Sequence, residues 1–438
     1  MSGAGAVSAP RLRRDLGFLA LVALVFFHVS GGPYGIEDVV PSFGPGLALL
    51  LLVLTPLVWS CPVAMVMAEL ASAMPDEGGY VTWTRRAFGP FWGFQVGWWS
   101  WIDSFVDVAV YPALAVEYAR YWWPGMTRLS HVLFVLAFVL VLTALNVVGV
   151  RPVGRAAVAL AGLALTPVVM LVTVGLTTIS TVPWRPFAAA GESMGVGIAL
   201  GLAVTMWNFS GWDTPSTTLG ETRAPERTFR NAVFVALPII TAAYLLPVTV
   251  VLASGATTWT TWGTASFATL GHALGGPWLG HAIALGAVLA TAGQFLSQLL
   301  TNSRLPFVLA RHGQMPTALA ALHPRFETPW LAVLVSAAIY TALAGFSFRD
   351  LIVLNVWLYS LSLIVELAAF LVLRMREPEM SRPWRVPGGP VGAWIAAGVP
   401  AGFSAFTMAA AGWGTTVAAI SAAATGPLAY ALFARRSR

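Results

Sequence analysis

From Val386 to Ala434 the chain runs without a single charged side chain. No water-facing element of a soluble domain tolerates that length of apolar sequence. A bilayer crossing takes about 20 mostly apolar residues, so this stretch holds two, split near Gly412-Trp413-Gly414. The rest of the chain repeats the theme. Only 10% of the 438 residues are charged, against about 25% in soluble proteins. The sequence predicts an all-α integral membrane protein with twelve transmembrane helices, near 16–40, 46–72, 87–119, 130–150, 156–180, 194–221, 232–254, 281–304, 328–346, 350–373, 391–411 and 413–434. The arginine-bearing start before span one looks like a signal peptide but has no small-residue cleavage site, so it is read as the lead-in to a span. All 24 basic residues are arginines. With a cytoplasmic N-terminus, twenty of them fall inside and four (Arg120, Arg128, Arg185, Arg349) outside, the expected positive-inside bias. Both termini are then cytoplasmic, and the expected location is the inner (cytoplasmic) membrane.

Two spans contain a break that a crossing helix should not have. Span one reads FFHVSGGPYGIEDVV at Phe26–Val40, with Ser30 about 21 Å along the helix from Leu16. Span six reads WNFSGWDTPS from Trp207, with Asn208 at the same depth counted from Met194. Each break contains Ser-Gly and is followed by a proline, Pro33 or Pro215, suited to the first turn of a new half-helix. Five crossings apart, the two spans run in opposite directions. Paired interruptions in opposed helices point to an inverted-repeat transporter. Unwound backbone in hydrocarbon leaves N–H and C=O groups without partners, tolerable only around a polar cavity or a ligand. The reading therefore expects these amides and carbonyls to be satisfied by cargo.

With those breaks stand MAELASAMPDEGGYVTWTRRAFGPFWGF, SRLPFVLARHGQMP and LRMREPEMSRPWRVPGG. Together they resemble the amino acid–polyamine–organocation superfamily, most closely its polyamine and L-type amino acid branch. The resemblance implies a LeuT-like 5+5 inverted repeat plus two C-terminal helices: a tail at 1–15, one repeat at 16–180, a second at 194–375 and the last helices at 391–434. It implies substrate contact by Ser30, Gly31, Gly32 and Gly35 in the first break and by Asn208, Ser210, Gly211, Trp212 and Asp213 in the second. Plant polyamine members carry an acid where this chain has His28, which argues against a purely polycationic substrate.

Ionisable groups at membrane depth need a partner or a function. Asp103, Asp107 and Tyr111 recur every four residues in span three, on one face with Trp99, and suit an ammonium ion by charge and cation–π attraction. Asp213 could cap the second half of span six and still face a cation. His28, Glu37, Asp103 and Glu366 are the coupling or gating candidates; for Glu366 an internal salt bridge is the structural alternative. Glu69 is expected to tie down the loop PDEGGYVTW by hydrogen bonds. Span eight offers Gln294, Ser297, Gln298, Thr301 and Asn302, which could coordinate Na⁺ or bridge helices.

The function expected is secondary active transport of an amine, amino acid or polyamine, with proton-coupled symport by alternating access as the favoured mechanism. H⁺ is the expected coupling ion and Na⁺ stays open. The alternatives are an amine or amino acid exchanger and, behind it, a transporter-fold sensor. An enzyme is not expected, because no HExxH, GxSxG or phosphate-binding loop is present. No cofactor, metal or nucleic-acid partner is expected; the lone Cys61 forms no cluster, and the arginines are spread between apolar runs.

Overall fold

A computed structural model describes residues 12–189, 205–344 and 348–434. Among these the chain is helical. Among the described residues, eight helices are long and apolar enough to cross a membrane, and two more, Phe18–Val29 and Trp330–Leu343, are apolar but shorter. The helices are α1 (Phe18–Val29), α2 (Val39–Phe43), α3 (Pro45–Thr55), α4 (Cys61–Ala73), α5 (Tyr80–Phe88), α6 (Pro90–Ala119), α7 (Arg128–Val148), α8 (Val150–Leu176), α9 (Pro225–Ser254), α10 (Phe267–Gly275), α11 (Pro277–Asn302), α12 (Arg304–Arg311), α13 (Trp330–Leu343), α14 (Phe348–Arg376), α15 (Gly389–Ala410) and α16 (Trp413–Ala434). The expected start of span six, residues 194–204, lies outside the described residues, as do residues 1–11 and the arginines after Ala434.

The first break is where the sequence places it. Helix α1 ends at Val29, about 18 Å long, short of the roughly 30 Å hydrocarbon core. The new half-helix does not begin at Pro33, however. Gly32 (φ +116°) and Gly35 (φ +92°) hold the chain in conformations no helix contains, and helix resumes only at Val39. Pro215 does sit in a first turn, that of a buried 3₁₀ segment, Thr214–Glu221. Between α3 and α4 runs a π-helical turn, Pro56–Ser60, from which the Ser60 hydroxyl reaches the Phe209 carbonyl at 3.3 Å. Leu16 and Thr222 pair as a short parallel bridge, joining the start of the first span to the end of the second broken segment.

Ion pairs gather at the arginine-rich end. Arg304 and Glu221 are fully buried and joined through two nitrogens at 2.8 and 2.9 Å. Glu69 does not hold the PDEGGYVTW loop. Its carboxylate takes Arg374 at 2.6 and 2.8 Å, Arg382 at 3.3 Å and the Val386 amide at 2.7 Å, so it anchors the loop after α14 instead. In the loop between α4 and α5, Glu77 pairs with Arg311 at 3.0 Å, while its Oε1 has no hydrogen-bond partner among the described residues.

Burial, reinforced by the charge of Glu221 and only partly offset by Arg311 and Arg304, pushes Glu77 from 4.5 up to about 7. A raised carboxyl pKa means the folded state holds a proton that the unfolded chain has released. The stabilisation is therefore complete below about 4.5 and lost as pH rises through about 7. The neighbouring His312 is pushed down to about 4, chiefly by burial and then by Arg85 and Arg311. It gives an opposite slope below 6.5, so the comparison of variants isolates Glu77. Glu77→Gln should melt like the parent at pH 5 and be more stable at pH 8, by about 3 kcal/mol at 1.36 kcal/mol per pKa unit. Parallel melting curves for the two proteins across that range would refute this.

Candidate functional site

The two breaks touch. A Cβ built on Gly211 (φ +95°) would stand 2.8 Å from the His28 ring and 3.0 Å from its carbonyl oxygen, so only glycine allows this approach. Around the contact lies a cavity of about 60 Å³, enough for about four waters by the space one water needs. Its wall is built from α1, α6, α9, α11, α14 and both breaks.

Three carboxylates line it: Asp103, Asp107 and Asp213. Asp103 accepts from Asn355 at 2.9 Å. Asp107 accepts from Trp207 at 3.3 Å on one oxygen, and from Tyr111 at 3.2 Å and Gln298 at 3.0 Å on the other. Asp213 accepts from Tyr359 at 2.8 Å and from the Thr214 hydroxyl at 3.3 Å. It makes no side-chain cap to the 3₁₀ segment that follows. His28, Ser30, Tyr111, Asn208, Ser210 and Gly211 also line the cavity. No arginine is among the lining residues.

Other expected residues lie elsewhere. Gly31, Gly32, Gly35 and Trp212 are not in the wall. Gly31 faces the Gln294 side chain, where a Cβ would come within 2.6 Å. The indole of Trp212 donates to the Phe209 carbonyl at 2.8 Å. Trp99 points away from Asp103 and donates to Ala423 of α16 at 3.0 Å. Glu37 is buried beyond the cavity, accepting from Tyr118, from the Gly35 amide at 2.7 Å and from the Phe267 amide at 3.5 Å. Glu366 is buried with no hydrogen-bond partner on either oxygen among the described residues. The structural alternative, an internal salt bridge, is therefore not formed among the described residues.

The main chain of the breaks does not wait for cargo. Gly31 N–H donates to Phe26 O at 3.1 Å and Gly32 N–H to the Ser30 hydroxyl at 3.0 Å. Gly211 N–H donates to the Tyr359 hydroxyl at 3.0 Å. The carbonyls of Ser30, His28 and Asn208 accept from Gln294 (2.8 Å), Gln298 (3.4 Å) and Tyr244 (3.0 Å). For these groups the expectation that a ligand satisfies them is replaced by internal partners: the Phe26 carbonyl, the Ser30 hydroxyl and side chains of α9, α11 and α14.

Sequence reasoning missed Tyr34, Tyr244, Asn355 and Tyr359 as lining residues. Tyr244 carried a signal, as the one aromatic residue in the apolar run PIITAAYLL. Asn355 and Tyr359 are one helical turn apart in span ten, and that spacing puts both on one face.

Comparison with known proteins identifies the family. The chain matches the amino acid permease family model over residues 16–433. It is 35% identical to a polyamine transporter of Arabidopsis thaliana over 375 residues, covering 85% of this chain and 76% of that protein. It is 33% identical to a polyamine transporter of Oryza sativa subsp. japonica, covering 87% and 71%. It is 29% identical to an uncharacterized transporter of Mycobacterium tuberculosis, covering 76% and 74%. Breaks in contact, a buried acidic cavity and a match along nearly the whole length converge: the chain belongs to the amino acid permease family of the amino acid–polyamine–organocation superfamily, and is a multi-pass membrane transporter, not an enzyme.

Proposed function

We propose that this protein is a secondary active transporter of polyamines, coupled to protons and working by alternating access. The observation that carries the substrate class is the pairing of three wall carboxylates with backbone amides already bonded inside the protein. An amino acid needs donors for its carboxylate. Here the amides of Gly31, Gly32, Gly35 and Gly211 are already bonded inside the protein, and the charge in the wall is negative. A slender chain of methylenes and ammonium groups meets acids for its charges and the rings of Trp207, Tyr111 and Tyr244 for cation–π contact. Relatives named as polyamine transporters support the same reading. His28 is compatible with it, because its ring sits against Gly211 and near the Thr301 hydroxyl at 3.4 Å.

In this reading the chain forms twelve spans, with repeats at 16–180 and 194–375 and two further helices at 391–434, in the cytoplasmic membrane with both termini inside. Ser30, Asp107, Tyr111, Asn208, Ser210, Gly211 and Asp213 contact substrate, with Gly31, Gly32, Gly35 and Trp212 shaping the breaks behind them. Coupling by H⁺ is favoured over Na⁺ because amide N–H donors of Gln294 and Gln298 already occupy carbonyls that a bare cation would need. Glu366, with no donor spent on it, is the acid free to carry the proton; Glu37 and Asp103 assist gating, and His28 is a second coupling candidate.

The test is uptake of radiolabelled spermidine and leucine into proteoliposomes. Spermidine should accumulate under an inward proton gradient and the signal should collapse with a protonophore. Leucine accumulation in its place would reject the substrate assignment. Spermidine uptake that requires internal amine, and ignores the gradient, would make the protein an exchanger.

A further inference from the structure

The motif LRMREPEMSRPWRVPGG, Leu373–Gly389, takes no part in the cavity. It builds a separate cleft of about 490 Å³ at the arginine-rich end, between the end of α14 and the start of α15. The turn into α15 is tight: a Cβ on Gly392 would stand 1.8 Å from the Pro387 carbonyl oxygen, so a side chain there would push the wall outward. Three arginines line the cleft, Arg374, Arg382 and Arg385, and no acid does. Glu69 behind it is saturated by Arg374, Arg382 and the Val386 amide. Arg385 has no ion-pair or hydrogen-bond partner among the described residues and is exposed. Burial lowers the Arg382 pKa; Glu69 opposes this, and the charges of Arg385 and Arg374 add to it. The remaining wall is apolar and partly bare: Met375 is 61% and Trp394 57% exposed, beside Leu371.

We propose that this cleft holds the phosphate headgroup of an anionic phospholipid, with Arg385 on the phosphate, Arg374 and Arg382 behind it, and an acyl chain over Leu371, Met375 and Trp394. Two span-length apolar helices form the cleft, so it opens where headgroups lie, and basic pockets between such helices recognise anionic lipid. A soluble anion would use the arginines and gain nothing from the exposed indole and thioether. The lipid assignment does not depend on which substrate the central cavity takes.

The experiment is native mass spectrometry of the full-length protein released from nanodiscs of equal phosphatidylglycerol and phosphatidylcholine. The parent should retain phosphatidylglycerol in preference. Arg385→Gln should hold it about fivefold less well, from the contribution of one arginine near an anionic surface, and Arg385→Lys should restore most of it. Equal retention by parent and Arg385→Gln, or no preference between the lipids, overturns the proposal. Independently of any variant, a photoreactive phosphatidylglycerol should label the segment 371–394. Competition of that labelling by millimolar inorganic phosphate would show a free-anion site and overturn the lipid assignment.

Discussion

Asp107→Asn should weaken spermidine binding by about 100-fold while leaving the thermal melt nearly unchanged. The loss follows from removing one member of a desolvated charge pair, which costs about 2–5 kcal/mol, with each 1.4 kcal/mol a factor of ten. The fold should survive because the new amide keeps most of the same partners. With its oxygen in the Oδ2 position it accepts from Tyr111 and Gln298 as the carboxylate does, and its NH₂ gives up only the 3.3 Å bond from Trp207. Titration calorimetry with spermidine and with a neutral diol of matched length separates charge from shape. Equal weakening of both would remove the electrostatic role.

The second large effect is structural. Glu221→Gln should destabilise the protein by about 3–5 kcal/mol, because it strands the Arg304 guanidinium at 0% exposure. Arg304 would keep one bond to the Gln oxygen, besides the Leu300 carbonyl and the Ser303 hydroxyl at 2.9 and 3.0 Å, but no counter-charge. The pair Glu221→Leu with Arg304→Met should recover most of that loss, since apolar replacement of both members of a buried pair is often neutral. Melting curves in detergent measure both. A double variant as unstable as the sum of the singles would show that the pair itself holds the second broken segment in place.

Most of the helix plan was legible because apolar length, charge gaps and glycine-proline breaks are local properties. Ranges such as 413–434, expected and found, needed nothing beyond the run itself. The small helices α5 and α10 were not separated from their surroundings, because short pieces carry little periodic signal. Wall membership was harder. Four-residue spacing advances 400°, or 40° past a full turn, so Trp99 lies about 120° around α6 from Tyr111; the face holding Asp103, Asp107 and Tyr111 does not extend to it. The fate of the break amides was not legible at all. The hydroxyl that takes Gly211 N–H comes from Tyr359, 148 positions away, and no local pattern encodes that distance.

That tyrosine, with the two glutamines of α11, has one more implication. Since internal partners hold the Gly211 amide and the Ser30 and His28 carbonyls, those groups carry no solvation debt in an unloaded molecule. Architecture and recognition are then separable in practice: the wall carboxylates are open to redesign for a different passenger while the scaffold that presents them stays intact.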